Sequence, residues 1–419
     1  MEQEQIEIRK SKGCEIAKNF RIRKTDKGWV VPSQTGSGSY LVQMDCASEK
    51  CNCPDHELRQ SKCKHIFAVE FMLKEEVDTD AQGNQTITQT KMIKITYPQD
   101  WKSYNHAQCN EQRYFMALLS DLVGNIEQPK YEFGRPKLPL QDMIFASALK
   151  VYSTFSLRRF MSDMQTAKEK NYVDNICSYV TVSNIMRNKE ITPLLNKLIK
   201  ISSLPLASIE TKFAVDSSGF STSRFARYFS FKHGKDMKYR TWIKAHVISG
   251  VKTNIITGIE ISDENSNDCP YFEPLVNQTS EQGFKVDEVS ADLAYSSKAN
   301  HEIVNSLSGT AYIPFKSNVT GKADGSYTWM RMYHYFMLNK EEFLQHYHKR
   351  SNSETVFHMI KSKFRDHIRS KEKTAQINEV LLKALCHNIC VVIQEMFELG
   401  ISPQFCLKSQ EDVKKVSLN

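Results

Sequence analysis

Residues 347–361 read YHKRSNSETVFHMIK. Tyr347, Arg350, Glu354 and Lys361 stand at offsets 0, 3, 7 and 14 in this stretch. At about 100° per residue, those offsets fall at about 0°, −60°, −20° and −40° around a helix. One acid, two cations and a phenol then share a single narrow face. Packing does not need so mixed a polar stripe. A site for phosphates and a metal does: a carboxylate for the metal, Arg and Lys for phosphate oxygens, Tyr for stacking or hydrogen bonding. The stretch has a second reading. Ser351 with Glu354 three residues on fits a capping box, and a helix beginning at Ser351 leaves Tyr347 and Arg350 outside it.

Upstream, the pattern over 207–398 changes to strands. Lys212 to Val215 is apolar and ends at Asp216, before SSGFSTSRFAR. YRTWIKAHVIS (Tyr239 to Ser249) and TNIITGIEIS (Thr253 to Ser262) predict two more strands, with Gly250 in the turn between them. A helix is expected near Asp268 to Glu281. A fourth strand, Val286 to Ala291, ends at Asp292. A helix over Ser297 to Leu307 and a fifth strand over Thr310 to Phe315 follow, and helices dominate from Trp329 onward. Three antiparallel strands, then alternating helix and strand, then helices, is the order of an RNase H-like fold. Asp216, Asp292 and Glu354 occupy the ends of the first and fourth strands and a late helix. Strand-end acids that meet in a mixed sheet can share two divalent metals about 3.5–4 Å apart for phosphoryl transfer. Taken singly, Asp216 is also an ordinary turn residue, Asp292 a strand terminus and Glu354 a cap; their joint order favours the site.

FAVDSSGF around Asp216, VSADLAYSS around Asp292 and the Tyr347, Arg350, Glu354, Lys361 set resemble DDE transposases of the insertion sequence 4 and 5 type. The resemblance implies cut-and-paste movement of an element with terminal inverted repeats. It assigns Asp216, Asp292 and Glu354 to Mg²⁺ or Mn²⁺. It assigns Tyr347, Arg350 and Lys361 to the cleaved DNA end. Lys316, at the end of the fifth strand, and Lys298 are further candidates for phosphate contact. Trp242, Lys244 and His246 alternate along one strand and so point the same way; they are read as DNA-facing or, for Trp242, as core. Two other readings remain beside the transposase: a DNA-binding protein without catalysis, and a structure-specific nuclease of the same fold.

The N-terminal 1–85 differs in kind. Trp29 to Val31 and Tyr40 to Met44 predict two short strands joined by the polar QTGSGS loop. CNCPDHELRQSKCKH follows, with Cys51 and Cys53 in one close pair and Cys63 and His65 in another. Two close pairs close a tetrahedral site of three thiolates and one imidazole, the set structural Zn²⁺ prefers. Cys46 and His56 are nearby substitutes. IFAVEFML reads as a helix packing back on this knuckle. The pattern, with Trp29, Val31, Pro32, Ser33 and Tyr40 upstream, resembles the SWIM zinc finger, a binding module for DNA or protein. DDE transposases of this type do not usually carry such a finger, so it is an addition.

Asp78 to Thr90 is polar and reads as a linker. Residues 98–205 read as short helices: Glu111 to Val123, Gln141 to Phe155, Ser156 to Lys168, Thr181 to Met186 and Ile191 to Ile201. Arg135, Lys137, Arg158, Arg159, Arg187 and Lys189 there form either a phosphate-facing surface or a solvated one. Its GRPKLPLQDMIFASALKVYSTFSLRRF stretch looks like the helical segment before the core of many transposases. Residues 399–419 form a polar tail.

The sequence of 419 residues has 56 Lys and Arg against 48 Asp and Glu, a net charge of +8, which favours a polyanionic partner. Eleven Cys is an odd number, suited to free thiols or metal ligands in a reducing compartment. The charged N-terminus lacks a signal-peptide pattern, and no apolar run is read as approaching a membrane span of about 18 residues. A cytoplasmic, nucleoid-associated prokaryotic protein is expected, working as a homodimer on double-stranded DNA.

Overall fold

The computed structural model describes residues 2–34, 38–45, 48–79, 85–92, 100–124, 126–129, 137–222, 232, 242–322 and 325–405. They divide into two compact units. One comprises Met1–Glu111 with Ile393–Pro403, the other Gln112–Val392 with Gln404–Asn419.

In the first unit, strands β1 (Arg23–Thr25), β2 (Gly28–Pro32), β3 (Ser39–Asp45) and β4 (Ser48–Cys51) form a four-stranded antiparallel sheet. Trp29, Val31 and Val42 turn inward to meet Ile66 and Val69 of the helix Lys64–Met72. A helix over Glu2–Asn19 completes this core through Ile16 and Ala17. The sequence reading did not foresee it, because charged residues are spread along its whole length. It lies close to Lys64–Met72 at Gly13, where a Cβ would come within 2.6 Å of the Phe67 Cβ. Strands β5 (Leu73–Thr79) and β6 (Gln85–Met92) pair as an antiparallel hairpin. This corrects the linker expected over Asp78 to Thr90. Thr86, Ile87, Thr88 and Thr90 are β-branched, and that composition favours an extended ladder over a polar coil.

In the second unit, the helices Leu140–Ser153, Met161–Glu169, Tyr179–Met186 and Ile191–Ser203 precede a mixed five-stranded sheet. Its strands are β7 (Lys212–Ser221), β8 (Trp242–Gly250), β9 (Ile256–Asp263), β10 (Glu288–Ala291) and β11 (Thr310–Tyr312). The spatial order is β11-β10-β7-β8-β9. β7, β8 and β9 are antiparallel; β10 runs parallel to both β7 and β11. That topology is RNase H-like, as the order of elements implied. Phe213, Val215, Val289 and Ala311 of the sheet pack on Phe272, Leu275 and Val276 of the helix Phe272–Glu281 and on Val304 of Lys298–Ser306.

Two expectations about this unit are corrected. The first strand does not end at Asp216: it runs five residues further, because Ser217 to Ser221 pair with Trp242 to His246 of β8. The fifth strand stops at Tyr312 and not at Phe315, so Lys316 lies in the loop beyond it. The final helix, Lys373–Leu399, has an 18-residue window of mean hydropathy 1.5, apolar and long enough to cross a membrane, contrary to the absence of such a run expected from sequence. Of that window 78% is buried within the protein. Leu382, Leu385 and Ile389 are fully covered, so this apolarity is used in packing.

Candidate active site and metal centre

The acid site forms where the sheet changes partners. β10 pairs with β7 only from Lys212 to Val215, ending on the pair Ala291 and Val215. Asp216 and Asp292 are the next residues on each strand. Beyond them the flank of β7 is no longer covered by β10. The helix Ser351–Phe364 lies against the far half of β7 there, and Ser221 continues the sheet with His367 through a parallel bridge. Asp216 is therefore a strand residue at the mouth of a notch, with a backbone on one side and helix side chains on the other.

Those side chains come from the stretch that opened the sequence reading. Arg350 Nη1 donates to Asp216 Oδ2 at 3.1 Å, and its Nη2 donates to Glu354 Oε1 at 2.7 Å. Ser353 Oγ lies 3.4 Å from the same Asp216 oxygen. Lys361 Nζ donates to Ser218 Oγ at 2.6 Å, two residues past Asp216 on β7. The helix does start at Ser351, yet no capping box forms: the Ser351 hydroxyl donates to the His348 carbonyl, and Arg350 at the cap keeps helical backbone angles. A helical turn over His348–Arg350 joins it to the helix Lys340–Tyr347, so Arg350, Glu354 and Lys361 do face one notch. Tyr347 is half-buried against the aromatic cluster of Tyr312, Phe315, Trp329 and Phe343.

Burial raises the Asp216 carboxyl above its usual range, and repulsion from Asp292 and Glu354 adds to this; the Ser217 N–H and Arg350 pull the other way. Asp292 accepts from the Leu293 N–H at the start of a short helical turn. Asp216, Asp292 and Glu354 are near enough for the last two to act on the first. Arg350 stands between two of them as a cation. Two carboxylates meet at the Arg350 guanidinium, and hard oxygen donors of this kind suit Mg²⁺ or Mn²⁺.

The backbone under Arg350 is anchored. Glu288 on β10 takes Lys349 Nζ at 2.6 Å, lies 3.0 Å from His346 Nδ1, and pairs with Lys212. Ser290 Oγ donates to the His346 carbonyl at 3.0 Å, and the His346 ring stacks on Tyr312 at 4.3 Å. Burial alone would raise the Glu288 carboxyl, but its hydrogen bonds from Lys212, Lys349 and His346 bring it down to about 2.

Of the other candidates, Lys316 is an exposed loop residue and Lys298 is the first residue of a helix. Trp242, Lys244 and His246 do share a face: Trp242 is 39% exposed and so not core, whereas the other two are covered. His246 is fully buried, stacks on Tyr271 at 4.0 Å and lies 2.8 Å from Ser262 Oγ. Lys244 is ion-paired with Asp268. Asp268 also accepts from Ser217 Oγ at 3.1 Å. Sequence reasoning missed Asp268, Ser218 and Ser353; the SSG after Asp216 was a signal for Ser218, whereas a lone Asp before a helix carries none. In the helical region, Arg158 and Arg159 lie over the rings of Tyr179 and Phe155, and Arg187 pairs with Glu372. Arg135 and Cys46 lie outside the described residues.

The second centre is in the first unit. The ligand atoms of Cys51, Cys53, Cys63 and His65 all lie within 4.8 Å of one another, and all four residues are buried. His65 Nδ1 is 3.9 Å from Cys51 Sγ and 3.8 Å from Cys63 Sγ. Bonds of about 2.3 Å to sulfur and 2.0–2.1 Å to nitrogen around a tetrahedral ion give ligand separations of roughly 3.6–3.8 Å, so the spacing is close to what Zn²⁺ needs. Hydrogen bonds from Cys51 and His65 bring the Cys63 thiol down to about 3, while burial pushes Cys53 up. His56 instead turns its Nδ1 to the Ser61 carbonyl, 2.8 Å away.

The site thus joins acids at the partner change of an RNase H-like sheet to an Arg and a Lys on one helix. Residues 208–389 match the family described as the transposase DDE domain. The chain is 26% identical over 217 residues to a "Probable transposase for insertion sequence element ISA1214" of Archaeoglobus fulgidus. That alignment takes in 51% of this chain and 64% of the relative, so the chain spans just under two thirds of the relative's length. Among solved structures, a piggyBac transposase synaptic complex with hairpin DNA matches at 10% identity and a TM-score of 0.32, over 67% of this chain and 72% of that one.

Proposed function

We propose that this protein is a DDE transposase that binds the terminal inverted repeats of a prokaryotic insertion element and moves it by cut-and-paste phosphodiester cleavage and strand transfer. The observation that carries this reading is Arg350 tying Asp216 to Glu354 inside the segment that matches the transposase DDE domain. The Tyr347, Arg350, Glu354, Lys361 set supports the insertion sequence 4 or 5 type.

In this reading Asp216, Asp292 and Glu354 hold Mg²⁺ or Mn²⁺. When bound, divalent metal supplies activation of the attacking oxygen and neutralisation of charge on the leaving oxygen. The chain does the rest. Arg350 and Lys361 take phosphate oxygens of the cut end, Arg350 through a planar fork and Lys361 as a point charge. Tyr347, held against the aromatic cluster, fixes the direction from which that end approaches. Lys298 and Lys316 contact phosphates further along the duplex. The Cys51, Cys53, Cys63 and His65 centre holds Zn²⁺ in a SWIM-type finger that adds a second contact to DNA or to a partner protein. Two element ends are joined in one event, so the working form is a homodimer on DNA, in the cytoplasm.

Glu354→Gln tests the catalytic part: end cleavage disappears while DNA binding stays. A strand-joining assay then separates a transposase from a nuclease of the same fold, which cuts and does not join.

A further inference from the structure

Arg350 holds two carboxylates that the proposed function assigns to metal. One guanidinium spans Asp216 Oδ2 and Glu354 Oε1 at 3.1 and 2.7 Å, with only 22% of its side chain exposed. Those oxygens are the ones a divalent ion needs. The same fork is also the group that fits a DNA phosphate. It cannot serve both at once. The backbone carrying it is fixed to β10 through Glu288 and Ser290 and to β11 through Tyr312, so a change of partner falls on the Arg350 side chain.

We propose that Arg350 is an internal lock: without DNA it occupies the metal-binding carboxylates, and a DNA phosphate draws it away and opens them to metal. DNA and metal binding are then positively coupled through one side chain, and the coupling is reciprocal because it is a free energy between sites. The lock keeps the acids neutralised until a DNA phosphate is seated. Glu354, 60% exposed, gives way readily once the guanidinium leaves, whereas Asp216, 17% exposed, stays in place on β7. This inference rests on the acid site being a metal site.

The test is Mn²⁺ titration followed by the electron paramagnetic resonance of free Mn²⁺, with Asp216→Asn defining the binding that does not belong to the acid site. Wild type, Arg350→Gln and Arg350→Lys are compared with and without a short DNA duplex of arbitrary sequence. Without DNA, Arg350→Gln should bind Mn²⁺ more tightly than wild type, by a factor in the range of about 5 to 150 typical of coupled sites. Adding the duplex should tighten Mn²⁺ binding to wild type by a similar factor and leave Arg350→Gln nearly unchanged. Arg350→Lys, a point charge without the fork, should fall between the two, and it serves if the Gln variant does not fold. Equal or weaker Mn²⁺ binding by both variants without DNA overturns the lock while leaving the metal site standing. Absence of any Mn²⁺ binding sensitive to Asp216→Asn, in wild type and variants with DNA present, overturns the metal reading and the lock with it.

Discussion

Arg350 and Asp216 are 134 residues apart in sequence and 3.1 Å apart in the fold. The contact joins the helix face that carries Glu354 and Lys361 to the strand residue just past the end of the β7–β10 pairing. It brings a cation and two acids into one notch.

Lys361 is the second cation in that notch, half-buried and hydrogen-bonded to Ser218. Burial lowers its ammonium below the usual range. Lys361→Gln should weaken DNA binding about equally for all sequences and reduce the slope of log affinity against log salt by about 1. Fluorescence anisotropy over a salt series measures this. An unchanged slope would mean that Lys361 makes no phosphate contact.

Glu288 gives a pH signature. Its carboxyl is held at about 2 against an ordinary 4.5, with 12% of the side chain exposed. A depressed carboxyl contributes stability that is complete above pH 4.5 and is lost as pH falls from 4.5 through 2. The shift corresponds to about 3 kcal/mol at neutral pH. Glu288→Gln should therefore lower the unfolding free energy by about that amount at pH 7, with the difference from wild type shrinking toward pH 2. Urea denaturation at several pH values reads it; a difference independent of pH would remove the charge cluster as its cause.

The finger should depend on its ion. Zn²⁺ at Cys51, Cys53, Cys63 and His65 predicts one equivalent per chain, lost in Cys63→Ala. Because small metal-closed segments fold on binding, a strong chelator should raise amide exchange across Trp29, Val31 and Val42 while Phe213 and Val289 of the other unit stay protected. Protection that survives the chelator everywhere would show that the packed core of Ile16, Val31 and Ile66 suffices.

The order of strands along the chain and the position of Asp292 just past a strand could be read from sequence because apolar runs mark the strands. The Cys and His spacing could be read because close ligand pairs constrain geometry locally. The helix Glu2–Asn19 could not, since its charged residues hide the few apolar ones, Ile16 and Ala17, that it buries. Nor could the extension of β7 past Asp216: SSGFS looks like a turn, and only its pairing with β8, a long-range contact, makes it a strand. His246 misled for the same reason, because alternation gives the face of a strand and not what covers it.

The most direct test of the central claim is cleavage of a labelled duplex carrying the element's own end, in Mg²⁺, by wild type and by Asp216→Asn. The account predicts cutting at the element end by wild type and none by Asp216→Asn, with both proteins binding the duplex. Equal cutting by both, or binding without cutting by either, would contradict it.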